Sequence, residues 1–314
     1  MVRGVGRMRI GAALWVERAT WPAVRDAALA AERAGFDSLW VDDHLLCDEG
    51  PWDDPKFEGW MTLAALSAVT SRATLGLLVG ANTLRNPGLV AKMVATLDHT
   101  SGGRAVLGLG AGWFEREHVA FGLDFGASPG ERLDRLDEAA GLIRRLLDGE
   151  RVTHRGRFYR LEDAVCAPRP VQARLPILIG GSGRRKTLRI VARHADAWNA
   201  YGDPAEVADA DRALREHCAA AGRDPLAIER SVTLNVVVRD SVAEAEAAFD
   251  EVRHRHRPIE GEDRLDVGGP PARIAEQLRA YEDIGVRHAI WVFRDPFDEE
   301  TMARLPEVRH PLAS

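Results

Sequence analysis

Short apolar runs alternate with helix-period segments along nearly the whole chain, and few folds accommodate that rhythm. The runs fall at 10–14, 38–41, 74–79, 105–109, 177–179, 197–199, 231–238 and 289–293. The helical segments fall at 21–34, 60–69, 87–99, 131–148, 184–194, 204–221, 242–253 and 271–284. A strand that hands over to a helix returns to the same edge before the next strand begins, so the strands run parallel. Eight such units with short connections suit a closed TIM (β/α)8 barrel better than an open doubly wound sheet. The end signals agree, with Thr20 and Pro22 opening the first helix, Gly35 closing it, and Ser101-Gly102-Gly103 offering a left-handed stop to the third.

A barrel of this class needs about 250 residues, so 314 leave room for an insertion. Residues 151–175, between the fourth and fifth strands, carry prolines and basic groups without a helical period, and read as a surface excursion or lid. Residues 1–7 read as a disordered leader ahead of a single domain spanning 8–314.

The 42 basic and 48 acidic side chains give a net charge of −6 with no concentrated basic face, which argues against nucleic acid or an anionic membrane as partner. No apolar stretch approaches the roughly 18 residues of a membrane span. Cys47, Cys166 and Cys218 stand far apart without CxxC spacing, so neither a disulfide framework nor a metal is expected, and a reducing cytoplasm fits best.

Reactive groups of such a barrel sit where strands end at the carboxyl face. The second strand delivers Asp43 and His44, an acid–base pair by chemistry and a loop cap with a solvated imidazole by its plainer reading. The fourth ends in Gly108-Leu109-Gly110-Ala111-Gly112-Trp113, where backbone could approach a flat ligand, though GxGxxG spacing fails at Trp113 and Glu115. After the fifth strand Gly180-Gly181-Ser182-Gly183 runs towards Arg184-Arg185-Lys186-Thr187, an anion seat rather than a Walker loop. Asn82, Thr83 and Arg85 follow the third strand, and Trp60, Trp113, Trp198 and Trp291 lie near strand ends as stacking surface or core. The run Arg253-His254-Arg255-His256-Arg257 reads as a solvated loop.

Taken together these motifs resemble the bacterial luciferase-like monooxygenases. The resemblance is carried by Leu39-Trp40-Val41-Asp42-Asp43-His44, Leu84-Arg85-Asn86-Pro87, Asp98 to Arg104, Gly108 to Trp113, Pro176 to Gly181 and Ala195-Asp196-Ala197-Trp198-Asn199. Within that superfamily, Glu58 to Leu66 and Val79-Gly80-Ala81-Asn82-Thr83 look more like the branch using the deazaflavin coenzyme F420 than the branch using FMN. The resemblance implies a barrel, usually dimeric, with the cofactor ring at the carboxyl mouth and its phosphate over Gly180, Gly181, Ser182 and Gly183. It also implies a bulge in the third strand, often with a non-prolyl cis peptide, between Leu77 and Gly80. Leu78, Val79, Asn82, Gly110, Ala111 and Gly112 would then contact the cofactor, while His44 and Asp43 flank the reactive ring edge. Hydride would pass between the deazaflavin and a small organic substrate, with His44 supplying or removing the proton. FMN with oxygen is the alternative chemistry. A phosphosugar isomerase on the same barrel would want a strand-end lysine, which is missing, and a non-catalytic flavin carrier would share the pocket without the turnover.

Overall fold

The computed structural model describes residues 7–256 and 265–312. The leader expected at residues 1–7 lies outside them except for Arg7, as do the last two residues of the chain. Eight parallel strands close a barrel: β1 (Arg9–Leu14), β2 (Ser38–Val41), β3 (Thr74–Leu77), β4 (Ala105–Gly110), β5 (Ile177–Gly180), β6 (Ala197–Ala200), β7 (Glu229–Val238) and β8 (Val286–Phe293). Each pairs with its successor, and β8 returns to β1 in the register Arg9↔His288 to Leu14↔Phe293. The alternation of the sequence therefore becomes a closed ring with no free edge.

The barrel is ringed by α1 (Trp21–Ala34), α2 (Gly59–Val69), α3 (Pro87–Thr100), α4 (Glu115–Phe121), α5 (Pro129–Leu147), α6 (Thr187–His194), α7 (Pro204–Ala220), α8 (Val242–His256), α9 (Pro271–Asp283), α10 (Glu299–Ala303) and α11 (Leu305–Leu312). Side-chain caps set several of their starts: Thr20 accepts from Ala23 N, Asn86 from Gly88 N, Ser128 from Glu131 N, and Asp203 forms a capping box with Glu206. Gly35 takes φ +97° to end α1. One large apolar cluster fills the layer between strands and helices, and a smaller one fills the barrel itself around Ala13, Trp15, Trp40, Leu78, Leu178 and Ile290. Trp40 occupies the barrel axis because Gly76 leaves it the space: a Cβ there would lie 2.6 Å from the indole.

The structure departs from the sequence reading in several places, among them the run from Arg253, whose residues to His256 end α8 with His256 buried rather than forming a solvated loop, while Arg257 lies outside the described residues. The third strand does not run through 79: it stops at Leu77, is interrupted by a cis peptide between Leu78 and Val79, and resumes at Gly80–Ala81. Leu75 pairs with Ala105 but Gly80 with Leu109, so five residues advance against four, which is the expected bulge. The helix expected from 184 begins at Thr187, after a turn at 184–186. The segment 151–175 contains an antiparallel hairpin, Val152–Arg155 with Arg160–Ala164, and binds the flanks of α3 and α5 through Lys92, His99, Asp98 and Glu138. Finally, a ninth parallel strand, Asp266–Gly269, adds to the outer part of β7.

Candidate active site

A cavity of about 600 Å³ opens at the carboxyl ends of the strands. Backbone geometry shapes its floor. Val79 covers Gly110 and Gly180: a Cβ on Gly110 would lie 2.7 Å from Val79 Cγ2, and one on Gly180 3.1 Å from either methyl. Those two glycines thus make room for Val79, which with Leu78 lines the cavity. Gly112 has a different reason, with φ +80° and the Thr83 hydroxyl where its Cβ would stand.

His44 emerges from β2 into this cavity between two carboxylates. Its Nδ1 lies 3.2 Å from Glu117 Oε1 and its Nε2 3.6 Å from Asp48 Oδ2. Glu117 also accepts from Leu45 N, so the loop after β2 and the start of α4 are tied to each other. Burial opposes charge on the imidazole, but the Asp48 carboxylate and the bond to Glu117 outweigh it, and the pKa is pushed up to about 9. The ring is a cation at neutral pH, with Trp113 edge-on to it at 5.3 Å. Asp48 correspondingly falls to about 2, because His44 and Lys56 overcome the effect of burial.

Asp43, expected beside His44, has other partners. Its carboxylate takes Arg85 in a fork at 2.7 and 3.0 Å and accepts from Ala81 N, tying the loop after β2 to the resumed third strand. Behind Asp42 and Asp48 sits Lys56, buried and 2.5 Å from each, with Glu17 3.5 Å away. Glu17 is fully buried and its oxygens have no hydrogen-bond partner among the described residues; burial raises its pKa to about 7 against the pull of Lys56. One ligand atom from each of Glu17, Glu49 and His256 lies within 4.8 Å of the others, and His256 donates from Nε2 to Asp295 O.

The other end of the cavity gathers glycine amides, a hydroxyl and a guanidinium. Gly181 takes φ +114°, its carbonyl accepting from Trp198 Nε1 at 2.9 Å. Among the described residues the amides of Ser182 and Gly183 meet no acceptor, and Ser182 Oγ is buried without a partner. Arg132 reaches the same wall from α5, donating to Gly112 O at 3.0 Å and stacking on Phe125 at 3.8 Å. It is buried and no ion pair with a carboxylate joins it among the described residues. Unsatisfied amides, an orphaned hydroxyl and a guanidinium held by Gly112 O and Phe125 fit a phosphate-bearing group. The basic run expected to assist points elsewhere, Arg184 to Asp209 and Lys186 to Asp134.

Of the residues singled out from sequence, His44, Asp43, Leu78, Val79, Gly110, Ala111, Gly112, Gly180, Gly181, Ser182 and Gly183 all line the cavity. Asn82 does not: it is buried, donating to Tyr159 Oη of the inserted hairpin at 2.9 Å. Trp60, Trp198 and Trp291 belong to the core, and only Trp113 of that set faces the cavity. Sequence reasoning missed Trp15, Asp48, Glu117, Arg132 and Tyr201. Glu117 could have been found as an acidic residue of the short helix following the glycines of β4, whereas Arg132 and Lys56 carry no local signature.

Residues 6–264 match the family described as luciferase-like monooxygenase. A Microbacterium testaceum protein described as F420-dependent glucose-6-phosphate dehydrogenase is 33% identical over 312 residues, covering 89% of each chain. A Mycobacterium tuberculosis protein described as F420-dependent hydroxymycolic acid dehydrogenase is 35% identical over 225 residues, 70% of this chain and 60% of that one. Among solved structures, an F420-dependent secondary alcohol dehydrogenase bound to an F420–acetone adduct superposes with a TM-score of 0.80 at 21% identity, covering 96% of this chain and 99% of that one. A long-chain alkane monooxygenase superposes at 0.81 with 16% identity, covering 98% and 91%. At these identities the two structures establish a shared fold.

Proposed function

Because the chain belongs to the luciferase-like monooxygenase family, we propose that it is an oxidoreductase of the F420-dependent branch, exchanging a hydride between coenzyme F420 and a small organic substrate at the barrel mouth. The observation that carries this is a single cavity joining an anion seat at Ser182 and Arg132 to an imidazolium at His44. The deazaflavin supplies the hydride chemistry when bound. The chain does the rest: Gly181 to Gly183, Ser182 Oγ and Arg132 would take the phosphate, and Gly110 to Gly112 with Leu78 and Val79 would receive the ring. Glu117 and Asp48, one at each ring nitrogen, would keep His44 protonated at the cavity wall, and Asp43 with Arg85 holds the loop that presents it. The relatives named for F420 at 33 and 35% identity favour the deazaflavin over FMN.

We extend the reading to a homodimer in a reducing cytoplasm. In support, α2 contains no charged residue and turns Met61, 72% exposed, outward with Ala64, Ala68 and Val69, an apolar stripe at helical spacing. All three cysteines are free and buried, and no helix among the described residues is long and apolar enough to cross a membrane.

Absorbance or fluorescence titration with F420 and, separately, with FMN tests the proposal. F420 is expected to bind at least tenfold more tightly, and tighter FMN binding would transfer the chain to the oxygen-using branch.

A further inference from the structure

One buried cluster lies outside the cavity and takes no part in the proposed chemistry. Glu17 follows β1, Glu49 follows β2 and His256 ends α8, and none of the three lines the cavity. All are buried, with one ligand atom from each within 4.8 Å of the others. Two carboxylates gathered in a dry interior are costly unless positive charge stands between them. Lys56 serves Glu17 poorly, standing 3.5 Å from its Oε2 but 2.5 Å from both Asp42 and Asp48. Both Glu17 oxygens and His256 Nδ1 are buried without a hydrogen-bond partner among the described residues. Three polar atoms therefore converge on a common point unsatisfied. Their supports are those of ligands. His256 Nε2 lies 2.7 Å from Asp295 O, and since a carbonyl can only accept, Nε2 carries the proton and the neutral ring turns a bare Nδ1 lone pair to the cluster. A backbone carbonyl behind the second ring nitrogen is the usual brace of a metal-binding imidazole. Glu49 is braced too, with Arg294 donating to its two oxygens at 2.6 and 2.7 Å, and a carboxylate has about four lone-pair sites to share.

We propose that Glu17, Glu49 and His256 bind one divalent transition cation of the zinc type, a structural ion that ties the connections after β1 and β2 to the end of α8. Carboxylate oxygens with an imidazole nitrogen are donors that zinc accepts, whereas calcium takes oxygen alone and more of it. Small side-chain rotations bring the three atoms to bonds of about 2.0–2.2 Å on one centre. Two carboxylates and a neutral imidazole balance a divalent charge, so the buried unit is neutral. In the ion-free protein Glu17 keeps the proton that burial gives it, and the cation takes that proton's place. The site stands apart from the cavity and is independent of which cofactor binds there.

The full-length chain, free of any affinity tag and stripped with EDTA, is dialysed near neutral pH against zinc chloride and, separately, calcium chloride, and bound metal is counted by mass spectrometry. One zinc per chain is expected, with a Kd in the micromolar range or below. Zinc at about 100-fold excess over that Kd should raise the melting temperature by about 5 °C. Glu17→Gln keeps the side chain's shape while removing an anionic donor, and should weaken zinc binding by about 100-fold, as should His256→Gln. His254→Gln alters an exposed histidine two residues away and should change nothing, which separates the buried site from zinc scavenged at the surface. Should His256→Gln fail to fold, Glu17→Gln decides alone. Zinc well below one equivalent per chain, zinc affinity unchanged in Glu17→Gln, or calcium held as tightly as zinc would each overturn the proposal.

Discussion

At the scale of single residues, two buried titrating groups have measurable consequences. His44→Gln should fold and bind F420 with near-normal affinity while losing about 100-fold or more in turnover, the usual worth of a positioned acid or base; unchanged kinetics would remove it from the reaction. In the direction that needs its proton, wild-type turnover should fall as pH rises through about 9, where the imidazolium deprotonates. Glu17 works in the opposite sense to most carboxylates. Its pKa is raised from 4.5 to about 7 by burial, so the folded state prefers the neutral acid. That contribution to stability is complete below pH 4.5 and lost as pH rises through 7, amounting to about 3 kcal/mol. Glu17→Gln, which cannot ionise, should lose less stability than wild type between pH 5 and 8 in urea unfolding, and parallel losses would refute the assignment. Asp43 and His44 were legible as candidates because they end a strand. That Asp43 serves Arg85 while His44 serves Glu117 and Asp48 was not, because Arg85 and Glu117 lie 42 and 73 positions away and Asp48 sits in a loop with no motif.

At the scale of elements, the end of β3 decides the floor of the site. Gly108 passes directly beneath it, and a Cβ there would stand 1.9 Å from Leu77 O, a backbone atom with no rotamer to retreat to. Gly108→Ala should therefore destabilise the fold by about 2 kcal/mol or more, read as a lowered melting temperature. Gly181→Asp acts at the other end. It puts a side chain at φ +114° and a negative charge beside the anion seat, so F420 affinity should drop at least tenfold with the barrel retained by circular dichroism. Equal affinity would move the phosphate elsewhere. The elements themselves were readable, since caps such as Thr20, Asn86 and Gly35 act within a few residues of where they are written. The start of α6 was not: the glycines and basic residues before Thr187 looked like a helix entry, but Arg184 and Lys186 are drawn off to Asp209 and Asp134 across neighbouring helices.

At the scale of the whole molecule, the outward stripe of α2, led by Met61, leaves apolar side chains uncovered. Met61→Glu should shift the sedimentation coefficient of the proposed dimer towards that of the monomer without changing the far-ultraviolet spectrum, and a wild-type protein already monomeric at micromolar concentration would dispose of the dimer. The inserted hairpin contributes no lining residue among those described. It meets the site only through Tyr159, which engages Asn82 behind the wall.

The sequence by itself determined the barrel, because alternating periods, caps and glycine stops are short-range signals and a ring of parallel strands is what they add up to. It also located the cavity lining on strand ends, for every barrel of this kind presents them to one face. The tertiary structure alone decided which charges meet. Lys56 behind Asp42 and Asp48, Arg85 in the fork of Asp43, and Arg132 brought to Gly112 are contacts between residues distant in the chain, and the cost of burying a charge is settled by its neighbours in space.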